Sequence, residues 1–159
     1  MKASDVMRAG ISTVGPLTPV LEAVRLLLKT NQRALPVVDE VGLLVGIISE
    51  GDFLHRAELD VDPARPGWFD ALFSGRANDS TQARSKALLV RDLMNASPVC
   101  VDEDASLDDV VAAMDARRIS QVPVVSQRHV VGLVTRTELL TTVERRLADA
   151  THAAESRGR

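Results

Sequence analysis

The sequence predicts an α/β fold of the α+β kind, built from two small halves with the same order of elements and packed about a pseudo-two-fold axis. The first observation behind it is an echo: LVGIISEGDF at Leu44 to Phe53 returns as VVGLVTRTEL at Val130 to Leu139. The second is that the echo persists. Asp5-Val6-Met7 matches Asp92-Leu93-Met94, Val14 matches Val101, and Leu35-Pro36-Val37-Val38 matches Val122-Pro123-Val124-Val125, all at an offset of 87 (123 − 36). Gly46, Ser49 and Asp52 then match Gly132, Thr135 and Glu138 at 86 (132 − 46), so one residue has been lost between Pro123 and Gly132. Asp39-Glu40-Val41-Gly42 and Ser126-Gln127-Arg128-His129 are the turn-like segments able to absorb the loss. The third observation is that each copy reads as strand, helix, strand, strand, helix.

Taken in order, each copy opens with a short extended piece, Ile11 to Val14 or Val99 to Val101. A helix follows, with apolar residues three and four apart: Val20, Val24, Leu27 and Leu28 in one, Leu107, Val111 and Met114 in the other. Thr18 is the expected N-cap of the first, with Pro19 at its first helical position, and Asp104 and Ser106 compete to cap the second. Paired strands come next. Leu35 to Val38 with Leu43 to Ser49, and Gln121 to Val125 with Val130 to Thr135, are aliphatic and β-branched around short turns. A closing helix ends each copy, from Asp52 to Ala57 and from Thr137 to Leu147. A half of ~55 residues buries a marginal share of its surface, so two halves gain by sharing a core.

The expected boundaries are 1–57 for the first domain, 58–89 for an inserted linker, 90–147 for the second domain and 148–159 for a polar, frayed tail. The insertion carries Trp68, Phe69, Leu72 and Phe73, whose four-residue spacing gives a short helix one apolar side. That side packs on the module itself, on a second copy or on another protein.

Composition narrows the function. With 45% hydrophobic and 26% charged residues, the chain has ordinary globular usage. A net charge of −3 offers no basic excess to nucleic-acid phosphates, and aromatics at 3% leave little to stack on bases. Cys100, the sole cysteine, has no disulfide partner, and no cysteine or histidine cluster stands at metal-ligand spacing. No apolar run suggests a signal peptide or membrane span, so the expectation is a cytoplasmic protein without membrane insertion.

With both copies laid out, the sequence resembles a tandem pair of CBS domains, or Bateman module, over roughly Ala3 to Ala57 and Val90 to Glu144. The match lies in Asp-Val-Met or Asp-Leu-Met at the head of each copy, Leu-Pro-Val-Val or Val-Pro-Val-Val, and Gly-Ile-Ile-Ser-x-x-Asp or Gly-Leu-Val-Thr-x-x-Glu. The resemblance implies a non-catalytic regulatory sensor, commonly a homodimer, without a catalytic cofactor, binding an adenosine-containing ligand (AMP, ADP, ATP, S-adenosylmethionine or NAD) in an inter-domain cleft. Its signal would pass to an effector enzyme or transporter. Carried over by position, the ligand residues are Ser49, Asp52, Thr13, Leu35 and Pro36 in the first copy, and Thr135, Arg136, Glu138, Cys100, Val122 and Pro123 in the second. Asp52 would hold the ribose hydroxyls. Glu138 departs from the family's aspartate there and reaches one methylene further.

Each reading has a structural counterpart. Ser/Thr-x-x-Glu is also a helix-capping signature, so Ser49-x-x-Asp52 and Thr135-x-x-Glu138 could serve folding alone. Gly46 and Gly132 fit close approach of a ligand or tight packing in a strand. Arg33, Arg117, Arg118 and Arg136 are candidate phosphate contacts or solvated charges, and Cys100, between two valines, is a small core or cleft-lining residue rather than a nucleophile. His55 and His129 read as surface histidines. The rival functions are a ligand-free dimerisation module and a small hydrolase using Asp52 or Glu138.

Overall fold

The computed structural model describes residues 1–53 and 88–157. Most of the expected insertion, with Trp68 and Phe69, lies outside the described residues, as do His55 and the first closing helix beyond Phe53. The chain forms two compact units, Ser12–Pro98 and Met1–Ile11 with Val99–Arg159. The sequence copies and the spatial units therefore differ at their heads: residues 1–11 join the second copy, and residues 88–98 join the first.

In the Ser12–Pro98 unit, helix α2 (Val20–Thr30) leads into strands β1 (Ala34–Val38) and β2 (Leu44–Ser49), and α3 (Val90–Leu93) is the head turn of the second copy. The second unit holds α1 (Ala3–Val6), β3 (Val101–Asp102), α4 (Leu107–Arg117), β4 (Gln121–Ser126), β5 (His129–Thr135) and α5 (Arg136–Arg157). The paired strands repeat in register. Ala34 opposes Ser49 and Val37 opposes Gly46, as Gln121 opposes Thr135 and Val124 opposes Gly132, with an irregularity just after in each. The lost residue falls in the turn. Asp39 Oδ1 accepts from the Val41 and Leu43 amides in the longer turn, whereas Gln127 and Arg128 make the tighter one with φ of 48° and 69°.

The two cores are separate clusters. Val14, Val20, Ala23, Leu27, Leu35, Val37, Ile48, Phe53, Val90 and Leu93 fill one, and Ala3, Val101, Val110, Met114, Val122, Val124 and Val134 the other. Three helix expectations shift. Helix α2 starts at Val20 with Pro19 as its N-cap, because the Thr18 hydroxyl accepts from the Gly15 amide at 3.0 Å instead of capping. Leu28 is exposed, and α4 buries Val110 while Val111 faces outward, a choice between adjacent valines that periodicity alone does not make. Ser106 caps α4, accepting from Asp109 N at 3.2 Å. The stretch expected as a frayed tail continues α5 to Arg157.

The two heads follow one plan. Asp5 Oδ2 accepts from Lys2 N and Asp92 Oδ2 from Leu89 N, each closing a single helical turn. The chain then pairs with the outer edge of a strand: Arg8 and Leu133 exchange both backbone hydrogen bonds, as do Asn95 and Ile47. This brings Met94 onto Gly46, where an added Cβ would lie 2.6 Å from Met94 Sδ and 3.0 Å from the Asn95 carbonyl oxygen. Gly46 is thus required by packing, which supplies its structural reading.

Candidate functional site

Each copy gathers its candidate residues at one end of its strand pair. In the first, Gln32 is buried although polar, because its amide acts as a piece of strand. Its Oε1 accepts from Ser12 N at 2.7 Å, while Nε2 donates to the carbonyls of Ser12 and Ala34, both at 3.1 Å. Beyond it, Val14 N donates to Pro36 O and Val38 N to Val14 O. The segment bearing Thr13 is thereby laid along β1, and Ala34 lies opposite Ser49 on β2. Thr13, Ser49 and Asp52 are all half-buried at this end.

Asp52 turns back on the start of its helix. Its Oδ2 accepts from Ser49 N at 2.7 Å and from Ser49 Oγ at 2.9 Å, while Oδ1 takes no hydrogen bond among the described residues. Glu138 Oε2 does the same for Thr135, accepting from its amide at 2.9 Å and from its hydroxyl, which also accepts from Thr137 N. Both carboxylates therefore perform the capping role. In Asp52 the second oxygen and its lone pairs remain for another donor.

Leu35, Pro36, Val122 and Pro123 are fully buried within their units. Cys100 is exposed rather than part of the core. Partial desolvation pushes its thiol up, with the Arg128 charge only partly offsetting this, so it stays protonated at neutral pH. Arg117, Arg118 and Arg136 are exposed. Arg33 is bound to Glu50, with Nε and Nη2 donating to Glu50 Oε1 at 2.9 and 2.5 Å, and this partner raises its affinity for its proton. No group of His, Cys, Asp and Glu among the described residues is arranged to hold a metal ion. No helix among them is long and apolar enough to cross a membrane.

Gln32 and the two head methionines escaped the sequence reading of the site. Gln32 stood as one polar residue in a helix-to-strand turn. The methionines were visible only as part of the Asp-Val-Met and Asp-Leu-Met repeats, whose partners lie in the other copy.

Comparison with known proteins places these features. The family model of the CBS domain matches residues 3–58 and 90–145. An uncharacterized protein of Bacillus subtilis, YlbB, is 30% identical over 139 residues, 87% of this chain and 79% of that protein. Among solved structures, the CBS domain pair of protein MJ0100 in complex with 5′-methylthioadenosine and S-adenosyl-L-methionine is 28% identical, with a TM-score of 0.68 over 92% of this chain and 98% of that one. CBSX2 in complex with AMP shares the fold at 24% identity, with a TM-score of 0.69 over 91% and 96% of the two chains.

Proposed function

Since the chain belongs to the CBS domain family and carries two copies in tandem, we propose that it is a non-catalytic regulatory module that senses an adenosine-containing ligand. The observation that carries this reading is the Asp52 carboxylate, fixed through Oδ2 to Ser49 and left with Oδ1 taking no hydrogen bond among the described residues. A carboxylate held by its own cap loses little freedom on gripping a ribose diol. The related domain pair in complex with 5′-methylthioadenosine and S-adenosyl-L-methionine supports the ligand class. AMP, ADP, ATP and NAD share the same adenosine handle.

The module acts in the cytoplasm as a homodimer and passes ligand occupancy to an effector enzyme or transporter by favouring one of two arrangements. Exposed Leu140, Val143 and Leu147 form an apolar stripe along α5 that suits the dimer contact. Thermal melting with each of AMP, ADP, ATP, S-adenosylmethionine and NAD tests the proposal. A ligand at about 100 times its dissociation constant adds ~2.7 kcal/mol, a rise of about 5–10 °C for a chain of this size. Asp52→Ala removes most of that ligand-induced rise, whatever it does to the unliganded melting point. Failure of every ligand to shift the wild-type protein leaves the ligand-free dimerisation module as the better reading.

A further inference from the structure

Two helices of the chain present the same pattern with opposite charge. In α2 the pattern is Leu21, Val24, Arg25 and Leu28, and in α5 it is Leu140, Val143, Glu144 and Leu147, at identical spacing. Steps of three and four residues put each set on one side of its helix. Leu21 and Leu28 are 47% and 79% exposed, and Leu140, Val143 and Leu147 are 68%, 51% and 64% exposed. Val24 alone is half-buried, against the core of its own unit. Arg25 and Glu144 are exposed and make no ion pair among the described residues.

The stripe is not a general feature of these helices. Helix α4 aligns with α2 at the offset of 87, as the left-handed residues closing them show, Asn31 with φ 54° and Arg118 with φ 52°. There, Asp108 and Asp115 stand in place of Leu21 and Leu28. Two solvated carboxylates make water the better neighbour of that face. The first copy therefore offers the helix that precedes its strand pair, and the second copy the helix that follows its own.

Resting on the homodimer reading above, we infer that α2 of one copy of the chain packs on α5 of a second, with Arg25 paired to Glu144 beside the joined apolar stripes. Charges flanking an apolar helix seam set its partner and orientation. A contact of α2 with α2 brings two Arg25 side chains to one seam, and a contact of α5 with α5 brings two Glu144 side chains together. Like charges there are unfavourable, whereas opposite ones attract. The mixed contact alone joins apolar to apolar and cation to anion. Each chain has one helix of each kind, so a closed dimer makes the contact twice.

Sedimentation equilibrium of the full chain, for wild type, Arg25→Glu, Glu144→Arg and the double reversal, tests this. The wild type is a dimer. Each single reversal weakens dimerisation at least tenfold, because both contacts turn from attraction to repulsion, and the double reversal returns the dissociation constant to within threefold of wild type. Both side chains are exposed, so far-UV circular dichroism stays unchanged across the set. Faces that pair with themselves give no such recovery, since each reversal then only exchanges one like-charged pair for another. A dimer insensitive to the single reversals, or one weakened by them and not restored by the double, overturns the pairing of α2 with α5 and leaves the homodimer standing. A monomeric wild type overturns the homodimer reading and the inference with it.

Discussion

A Cβ added at Gly132 would stand 2.5 Å from Met7 Sδ, 2.9 Å from Met7 Cγ and 3.0 Å from the Arg8 carbonyl oxygen. A flexible thioether can swing aside, but the carbonyl is held by its hydrogen bond from Leu133 N. Gly132→Ala is therefore expected to destabilise the protein by about 1–3 kcal/mol, the usual cost of overpacking, read as a lower urea midpoint with unchanged slope. Alanine at Gly15, where the nearest atom beyond its chain neighbours lies at 3.7 Å, should cost clearly less. Equal effects at the two glycines would show that the methionine cradle is not what fixes Gly132. The sequence marked Gly46 and Gly132 as special but left the ligand and packing readings open. The occupant of each cradle comes from the other copy, and a local pattern carries no record of it.

At the scale of elements, the segment bearing Thr13 illustrates how a piece of chain too short to be a strand is still held to a sheet. It makes a single parallel bridge, Val14 to Val37, and Gln32 supplies the remaining hydrogen bonds. Replacing Gln32 with Leu leaves the Ser12 amide and the Ser12 and Ala34 carbonyls without these partners. The expected loss is about 1–3 kcal/mol for buried polar groups left unsatisfied. Hydrogen exchange at Ser12 should accelerate by more than the global destabilisation accounts for. If it tracks global unfolding alone, the clip contributes nothing local. The second copy has Ile119 at the corresponding position, packed against its core, so the same substitution there has no counterpart. The four paired strands and both main helices were legible because their periodicity and turns are local. The helix faces were less so, since Val110 and Val111 are chemically identical and only the packing of α4 on β3 and β4 selects one.

Over the whole molecule, each strand pair is completed by the head of the opposite sequence copy, through the Arg8–Leu133 and Asn95–Ile47 backbone pairs. Deleting residues 1–11 removes α1, the Lys2–Asp104 ion pair and the backbone pair between Arg8 and Leu133. The exposed ion pair contributes little. Loss of buried Ala3 and of the outer edge of β5 matters more, so the expected outcome is lost exchange protection at the Leu133 amide with β1 and β2 kept. Uniform loss of protection in both units, or none at Leu133, contradicts this division of the chain.

The sequence by itself determined the duplicated order of elements, the place of the missing residue and the family, because repeats, turn chemistry and apolar periodicity are written over neighbouring residues. Tertiary structure alone decided which copy each head completes, that Gln32 replaces a strand's hydrogen bonds, and that Glu50 pairs with Arg33. Those outcomes depend on groups brought together across tens of residues, where steric fit and charge act through space rather than along the chain.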